Sequence, residues 1–101
     1  MLENRPTAIC AANDLEAIGA IKAIREAGLS VPDDISVTGY NNIWIAPKLI
    51  VGLTTMDTPL AEMGEKAFSM LMEYIGGNKP ASVTLETKLI MRGSTTAPRQ
   101  T

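Results

Sequence analysis

Two polar tips hold the chemistry this chain can do. Asn13-Asp14 and Asn41-Asn42 each follow a short apolar run, Thr7 to Ala11 and Ile35 to Thr38. An amide side chain both donates and accepts, so Asn13 and Asn41 can each hold a hydroxyl or ring atom of a ligand. The same residues can serve the backbone instead, Asn13 as a turn or capping residue and Asn41 as part of a tight turn. Asp14 reads first as the N-cap of a helix and only second as a ligand contact, and Asn42 as the turn residue of its pair. Groups for catalysis are scarce. The chain has no His and a single Cys, Cys10. A thiol without a base is not an activated nucleophile, and a single Cys with no His argues against a zinc site. Ser94, Thr95 and Thr96 pair with no general base, Glu62 and Glu65 fall on a helix surface, and no glycine run matches a phosphate loop. Binding rather than catalysis is expected, with no cofactor and no metal.

A third feature is apolar. Between Asn42 and Gly52, an irregular stretch crowds Trp44, Ile45, Leu49, Ile50 and Val51 around Pro47. So much apolar surface on a loop points to a partner. Trp44 can either stack on a sugar ring or pack in an interface.

The elements that position these residues follow from spacing. Thr7 to Ala11 reads as a buried parallel strand, and Cys10 on it as a small core hydrophobe. Ala17, Ile18, Ile21 and Ile24 fall on one face of a helix that Gly28 ends, with Lys22 and Glu26 paired on the other. Val31 to Asp34 is a turn. Ile35 to Thr38 is the second strand, and Gly39 lets the backbone approach something closely. Leu53 to Met56 is a third strand. Thr58 caps a second helix with Pro59 at its first position, lined by Leu60, Met63, Ala67, Leu71 and Ile75 and stopped by Gly76-Gly77. Val83 to Met91 is extended, and Ser94 to Thr101 is expected to fray. In an open parallel sheet ligands bind outside the carboxyl ends of the strands, which puts Asn13 and Asn41 on one rim.

Composition narrows the class. At 101 residues the chain is one domain, and with 4% aromatics its core must come from aliphatics and Met. A net charge of −2 without a basic tract argues against an autonomous nucleic-acid binder. There is no apolar stretch of membrane-spanning length and no export-signal pattern, so a cytoplasmic setting and no membrane partner are expected.

The run A-A-N-D-L-E-A-I-G-A-I-K-A-I-R-E-A-G-L-S-V-P-D-D-I-S-V-T-G-Y-N-N-I resembles the C-terminal part of the effector-binding core of LacI/GalR-type bacterial transcription regulators. L-T-T-M-D-T-P-L-A-E-M-G and L-I-M-R-G-S-T resemble the same family's closing segments. The resemblance runs from about Arg5 to Pro98. It implies an α/β fold: a parallel-sheet, periplasmic-binding-protein-like (type I) lobe, an open α/β sandwich that is a fragment of a two-lobe core. Residues 1–98 would be the C-terminal portion of the effector-binding domain and 99–101 a tail, with the DNA-binding head and the first half of the core absent. The partners implied are a small-molecule effector, such as a sugar or related metabolite, a second copy in a homodimer, and operator DNA only through the missing head. Asn13, Asn41 and Thr58 would hold the effector. Ile18, Trp44, Ile45, Lys48 and Leu49 would contact the second copy. The family often has Asp at the position of Asn41, where the amide supplies no charge and disfavours a cationic effector. An uptake or chemotaxis sugar-binding protein shares the fold and is the alternative.

By the same resemblance the chain crosses between lobes near Asp57-Thr58-Pro59 and again near Val83 to Glu86. The helix from Pro59 to Ile75 would then pack on the other lobe. Folded alone, it is expected to fold back onto its own sheet or to swap into a second copy.

Overall fold

The computed structural model describes residues 4–99. In order, the elements are β1 (Ala8–Cys10), α1 (Asp14–Glu26), β2 (Ser36–Thr38), a 3₁₀ turn (Ala46–Lys48), β3 (Thr55–Asp57), α2 (Leu60–Ile75) and β4 (Lys88–Ile90). β1 and β2 pair in parallel, with Ile9 opposite Val37. Parallel bridges Thr38–Thr54 and Asn41–Asp57 continue the sheet to β3, against which β4 runs antiparallel with Met56 opposite Leu89. β2 is therefore central. Its amides alternate sides: Ser36 donates to Thr7, while Val37, Gly39 and Asn41 donate to Ser94, Thr54 and Met56.

The core lies under α1. Ala17, Ile21 and Ile24 meet Val31, Ile35, Val37, Ala46 and Leu53, with Ile9, Ala11, Leu29 and Leu49 packed at its margin. Burying Ile21 and Ile24 contributes roughly 1.5–3 kcal/mol each. Gly28 ends α1 with φ +81°, a conformation open to glycine at little cost.

Several local expectations are corrected. The cap of α1 is Asn13, whose Oδ1 accepts the Glu16 amide at 2.9 Å, and Asp14 is the first helical residue. β1 is a half-covered edge: Ala8 and Cys10 are exposed and only Ile9 turns to the core. Thr58 does not cap α2, whose N-cap is Pro59 without a side-chain bond. Of the extended stretch 83–91, only Lys88–Ile90 is paired.

Ser94 to Arg99 is tied down, not frayed. Ser94 is fully buried, and its hydroxyl donates to the Val37 carbonyl at 2.6 Å and accepts the Thr54 amide at 2.8 Å. The Thr96 amide donates to Ser36 Oγ, and Arg99 donates to the carbonyls of Asp34 and Arg5. Short hydroxyl side chains supply here the bonds that a regular strand would have supplied. The remainder of the expected tail, residues 100–101, lies outside the described residues.

The second helix differs most from expectation. α2 does not fold back onto its own sheet: none of its residues is buried, and Leu60, Met63, Phe68, Leu71, Met72, Tyr74 and Ile75 are all about half exposed or more. The described chain is correspondingly long, 59 × 25 × 19 Å. The reason lies in the connection. Thr58 bonds to Asn41, and only Pro59 separates it from the helix, so α2 leaves the sheet in a fixed direction with no slack to return.

Candidate functional site

A cleft of ≈ 380 Å³ opens where α2 leaves the sheet. Its inner end is polar and rests on the end of β2: Tyr40, Asn41 and Thr58. Its outer walls are largely apolar: Leu60, Met63, Ala67 and Met70 from α2 face Val83 and Leu85, with Lys66 and Thr87 at the margin. A small polar ligand needs converging polar groups, and Tyr40, Asn41 and Thr58 bring three of them together at the inner end.

Asn41 stands at that end by virtue of its backbone. Its φ is +104°, and that of Asn42 is +57°, the left-handed region that Asn tolerates better than most residues. The Thr58 hydroxyl lies 3.1 Å from Asn41 Oδ1 and 3.4 Å from its carbonyl. Asn41 Oδ1 is thus engaged from behind, and the amide's hydrogens are left as the group to meet a ligand acceptor. Asn13 lies at the end of the neighbouring strand, but its Oδ1 is used by the helix cap and it does not line the cleft.

Arg92, which sequence reasoning passed over, and Asp14, read there as the cap of α1, organise this rim. Arg92 donates through NH1 to the Leu53 carbonyl and through NH2 to Asn42 Oδ1, both at 2.8 Å. Asn42 in turn donates to Asp57 Oδ1 at 3.1 Å, on the strand that leads into α2. Asp14 is wholly buried beneath the tip: its Oδ2 accepts the Ile43 amide at 2.7 Å and its Oδ1 the Thr55 hydroxyl at 2.6 Å. Gly39 is required for this, because a Cβ there would collide with Asp14 Oδ1. That Gly39 permits a close approach was legible in sequence. The partner that needs the space was not, since Asp14 is 25 residues away and N-cap chemistry gives the same residue type.

The loop residues gather elsewhere. Ala46 is buried and its carbonyl accepts the Leu53 amide, which pins the loop to the core. Ile18 and Leu49 line one ≈ 330 Å³ groove with Ile21, Ile50 and Val51, edged by Lys22, Arg25 and Glu26. Ile50, part of the apolar loop that the sequence pointed to as a contact, is 93% exposed. Trp44 is 73% exposed, with the Lys48 ammonium 5.4 Å from its ring centroid, and it is not part of the cleft. Ile45 is half-buried. Among the described residues no group of His, Cys, Asp or Glu could hold a metal ion, and no helix is long and apolar enough to cross a membrane.

Comparison with known proteins places this geometry. The family of periplasmic binding protein-like domains matches residues 1–95. A lactose operon repressor of Rhizobium radiobacter is 47% identical over 98 residues, which are 96% of this chain and 87% of that protein. The transcriptional repressor PurR of Mannheimia succiniciproducens is 41% identical over 92% of this chain, but the match spans only 28% of that protein. A dimeric Lac repressor with an 11-residue C-terminal deletion superposes with a TM-score of 0.82 at 36% identity, covering 93% of this chain and 35% of the repressor chain. This chain belongs to the periplasmic binding protein-like family, and within it corresponds to the C-terminal part of the effector-binding core of LacI/GalR-type transcriptional regulators.

Proposed function

We propose that this chain is the effector-sensing part of a bacterial repressor that acts in the cytoplasm, binds a small neutral metabolite of the sugar class, and pairs with a second copy of itself. The observation that carries this is Asn41. It sits at the carboxyl end of the central strand, in a left-handed conformation, with Thr58 behind it and the polar end of a cleft before it. Its amide hydrogens suit a hydroxyl or ring oxygen and add no charge. Asn13 is proposed as a second contact through the amide hydrogens that its capping role does not use. The names of the relatives, a lactose operon repressor among them, favour a regulator over an uptake protein.

The apolar outer wall of the cleft has a different use in this reading. It seats the sheet of the other lobe, leaving the inner end as the effector's. Effector binding between the lobes would bias their orientation, which requires different affinities for the two arrangements. Operator contact would come from a separate head. The groove lined by Ile18 and Leu49, with Trp44, Ile45 and Lys48 on the same loop, is proposed as the dimer surface.

The test is calorimetric titration of lactose and galactose into the protein carrying the complete two-lobe core. Asn41→Ala should weaken binding by roughly 1–3 kcal/mol, the usual cost of a lost buried hydrogen bond. Wild-type affinity in Asn41→Ala would remove Asn41 from the site, and no uptake of either sugar would count against the sugar reading.

A further inference from the structure

A buried carboxylate needs a reason, because losing its water is costly unless its oxygens find partners. Asp14 is 0% exposed, and among the described residues neither of the two ion pairs involves it. Its partners are instead the two ends of one turn. The Asp14 amide donates to the Tyr40 carbonyl at 3.1 Å, and Asp14 Oδ2 accepts the Ile43 amide at 2.7 Å. Between those bonds lie Asn41 and Asn42, both at positive φ. A left-handed pair of residues that carry a Cβ persists only where the surroundings hold it. The remaining oxygen, Oδ1, accepts from Thr55, which ties the same bracket to β3. Gly39 leaves the space that this carboxylate fills.

We infer that Asp14 is the positioning residue of the rim: it clamps Tyr40 to Ile43 in the conformation that aims Asn41 at the cleft and starts the loop to Leu49. It touches no ligand. The link from clamp to effector rests on the proposed function, whereas the clamp itself does not.

The experiment follows amide hydrogen exchange of Ile43 by NMR in the protein with the complete core, with the Val37 amide in the central strand as reference for global stability. Four proteins are compared: wild type, Asp14→Ala, Asp14→Asn and Ile24→Ala. In Asp14→Ala the Ile43 amide loses its acceptor and should exchange roughly 10- to 100-fold faster relative to Val37. Asp14→Asn should stay near wild type. One amide oxygen still accepts from Ile43, and the NH₂ can donate to the Thr55 hydroxyl, which can reverse its role. Ile24→Ala empties core volume without touching the tip, so both amides should move together. If Asp14→Ala does not fold, Gly39→Ala serves in its place, because its methyl displaces the carboxylate and should free Ile43 in the same way. Ile43 and Val37 moving in step in Asp14→Ala or Gly39→Ala would overturn the clamp. Lactose titration is the second arm. Affinity should fall at least about tenfold in Asp14→Ala and not in Ile24→Ala. Unchanged affinity despite a freed Ile43 would overturn the link from clamp to site. A wild type that takes up no lactose would count against the sugar reading, with the clamp still decided by Ile43.

Discussion

The two helices make opposite uses of the same sequence device. α1 and α2 are both amphipathic, and α2 carries the larger apolar side chains. Yet α1 buries Ala17, Ile21 and Ile24 against the sheet, while α2 buries nothing. The difference lies in the segment into which each helix runs. α1 returns through Gly28 and a four-residue turn to a strand beside β1, so its stripe meets the sheet it came from. α2 is sent away by Thr58-Pro59 and runs on into an extended stretch that pairs only at Lys88 to Ile90. Amphipathicity thus says that a helix has a covered side. It does not say whether the cover lies in the same stretch of chain.

Core truncation tests this comparison with the largest effects. Leu53 is fully buried under α1, and Leu53→Ala should cost roughly 2–5 kcal/mol in any protein containing this chain. Leu71, on α2, is 53% exposed, and Leu71→Ala should change the stability of the 101-residue chain by no more than about 0.5 kcal/mol. In a protein with the complete two-lobe core the same change should approach the Leu53 value, if the other lobe's sheet covers α2. Chemical denaturation of both variants in both lengths gives four numbers. A silent Leu71→Ala in the longer protein would mean that α2 is uncovered there too, and the contrast between the helices would be intrinsic.

How much of this was legible in the sequence divides along the same line. The 3.6-residue period found both helices and short apolar runs found the strands, because both signals are local. Turn chemistry found the Gly28 and Gly76-Gly77 stops, and the strand-end rule brought Asn13 and Asn41 to one edge. What local reasoning could not reach is which oxygen goes where. Asn13 and Asp14 are both good caps, and adjacent residues compete for one role; the loser, Asp14, became the clamp under Asn41. Arg92 bonds to Asn42 from 50 residues away, and no spacing announces it. Ser94 was misjudged as frayed because chain-end position is a weak guide where hydroxyls can complete a sheet edge.

The loop offers an intermediate test. Its root, Ala46, belongs to the core of the α1 half, while Ile50 and Trp44 stand out from it much as the α2 side chains do. If that exposure marks a dimer surface, replacing Ile45 and Leu49 with Asp would place unpaired charges in the interface. Truncation at such centres costs about 2 kcal/mol or more, enough to shift a micromolar dimer towards monomer. Sedimentation velocity at micromolar concentration measures this directly. An unchanged dimer would put the contact elsewhere and leave the loop as exposed surface.

The smallest expected effect lies at the outer edge of the covered half, where Asp34 joins both ends of the described chain. The Ser30 amide and hydroxyl donate to its Oδ2 at 2.8 and 3.0 Å, Arg5 pairs with its Oδ1 at 3.0 Å, and Arg99 lies close by. The two Ser30 bonds chiefly hold the carboxyl below its ordinary value of 3.8; partial burial opposes them, and the charges of Arg5 and Arg99 reinforce them. A group whose folded pKa is depressed favours the folded state above its unfolded pKa, and that contribution is lost as the pH falls through the folded value. Asp34 should therefore stabilise fully at neutral pH and lose its effect only in acid, below 3.8. Its exposure to solvent keeps the effect small. Asp34→Asn should lower the melting temperature slightly at pH 7, with the gap to wild type narrowing as the pH falls below 3.8. Thermal melts of the two proteins at pH 7 and through an acid series below pH 3.8 decide it. A gap that persists in acid would mean that Asp34 acts through the shape of the Ser30 turn, which Asn would then fail to reproduce, and not through its charge.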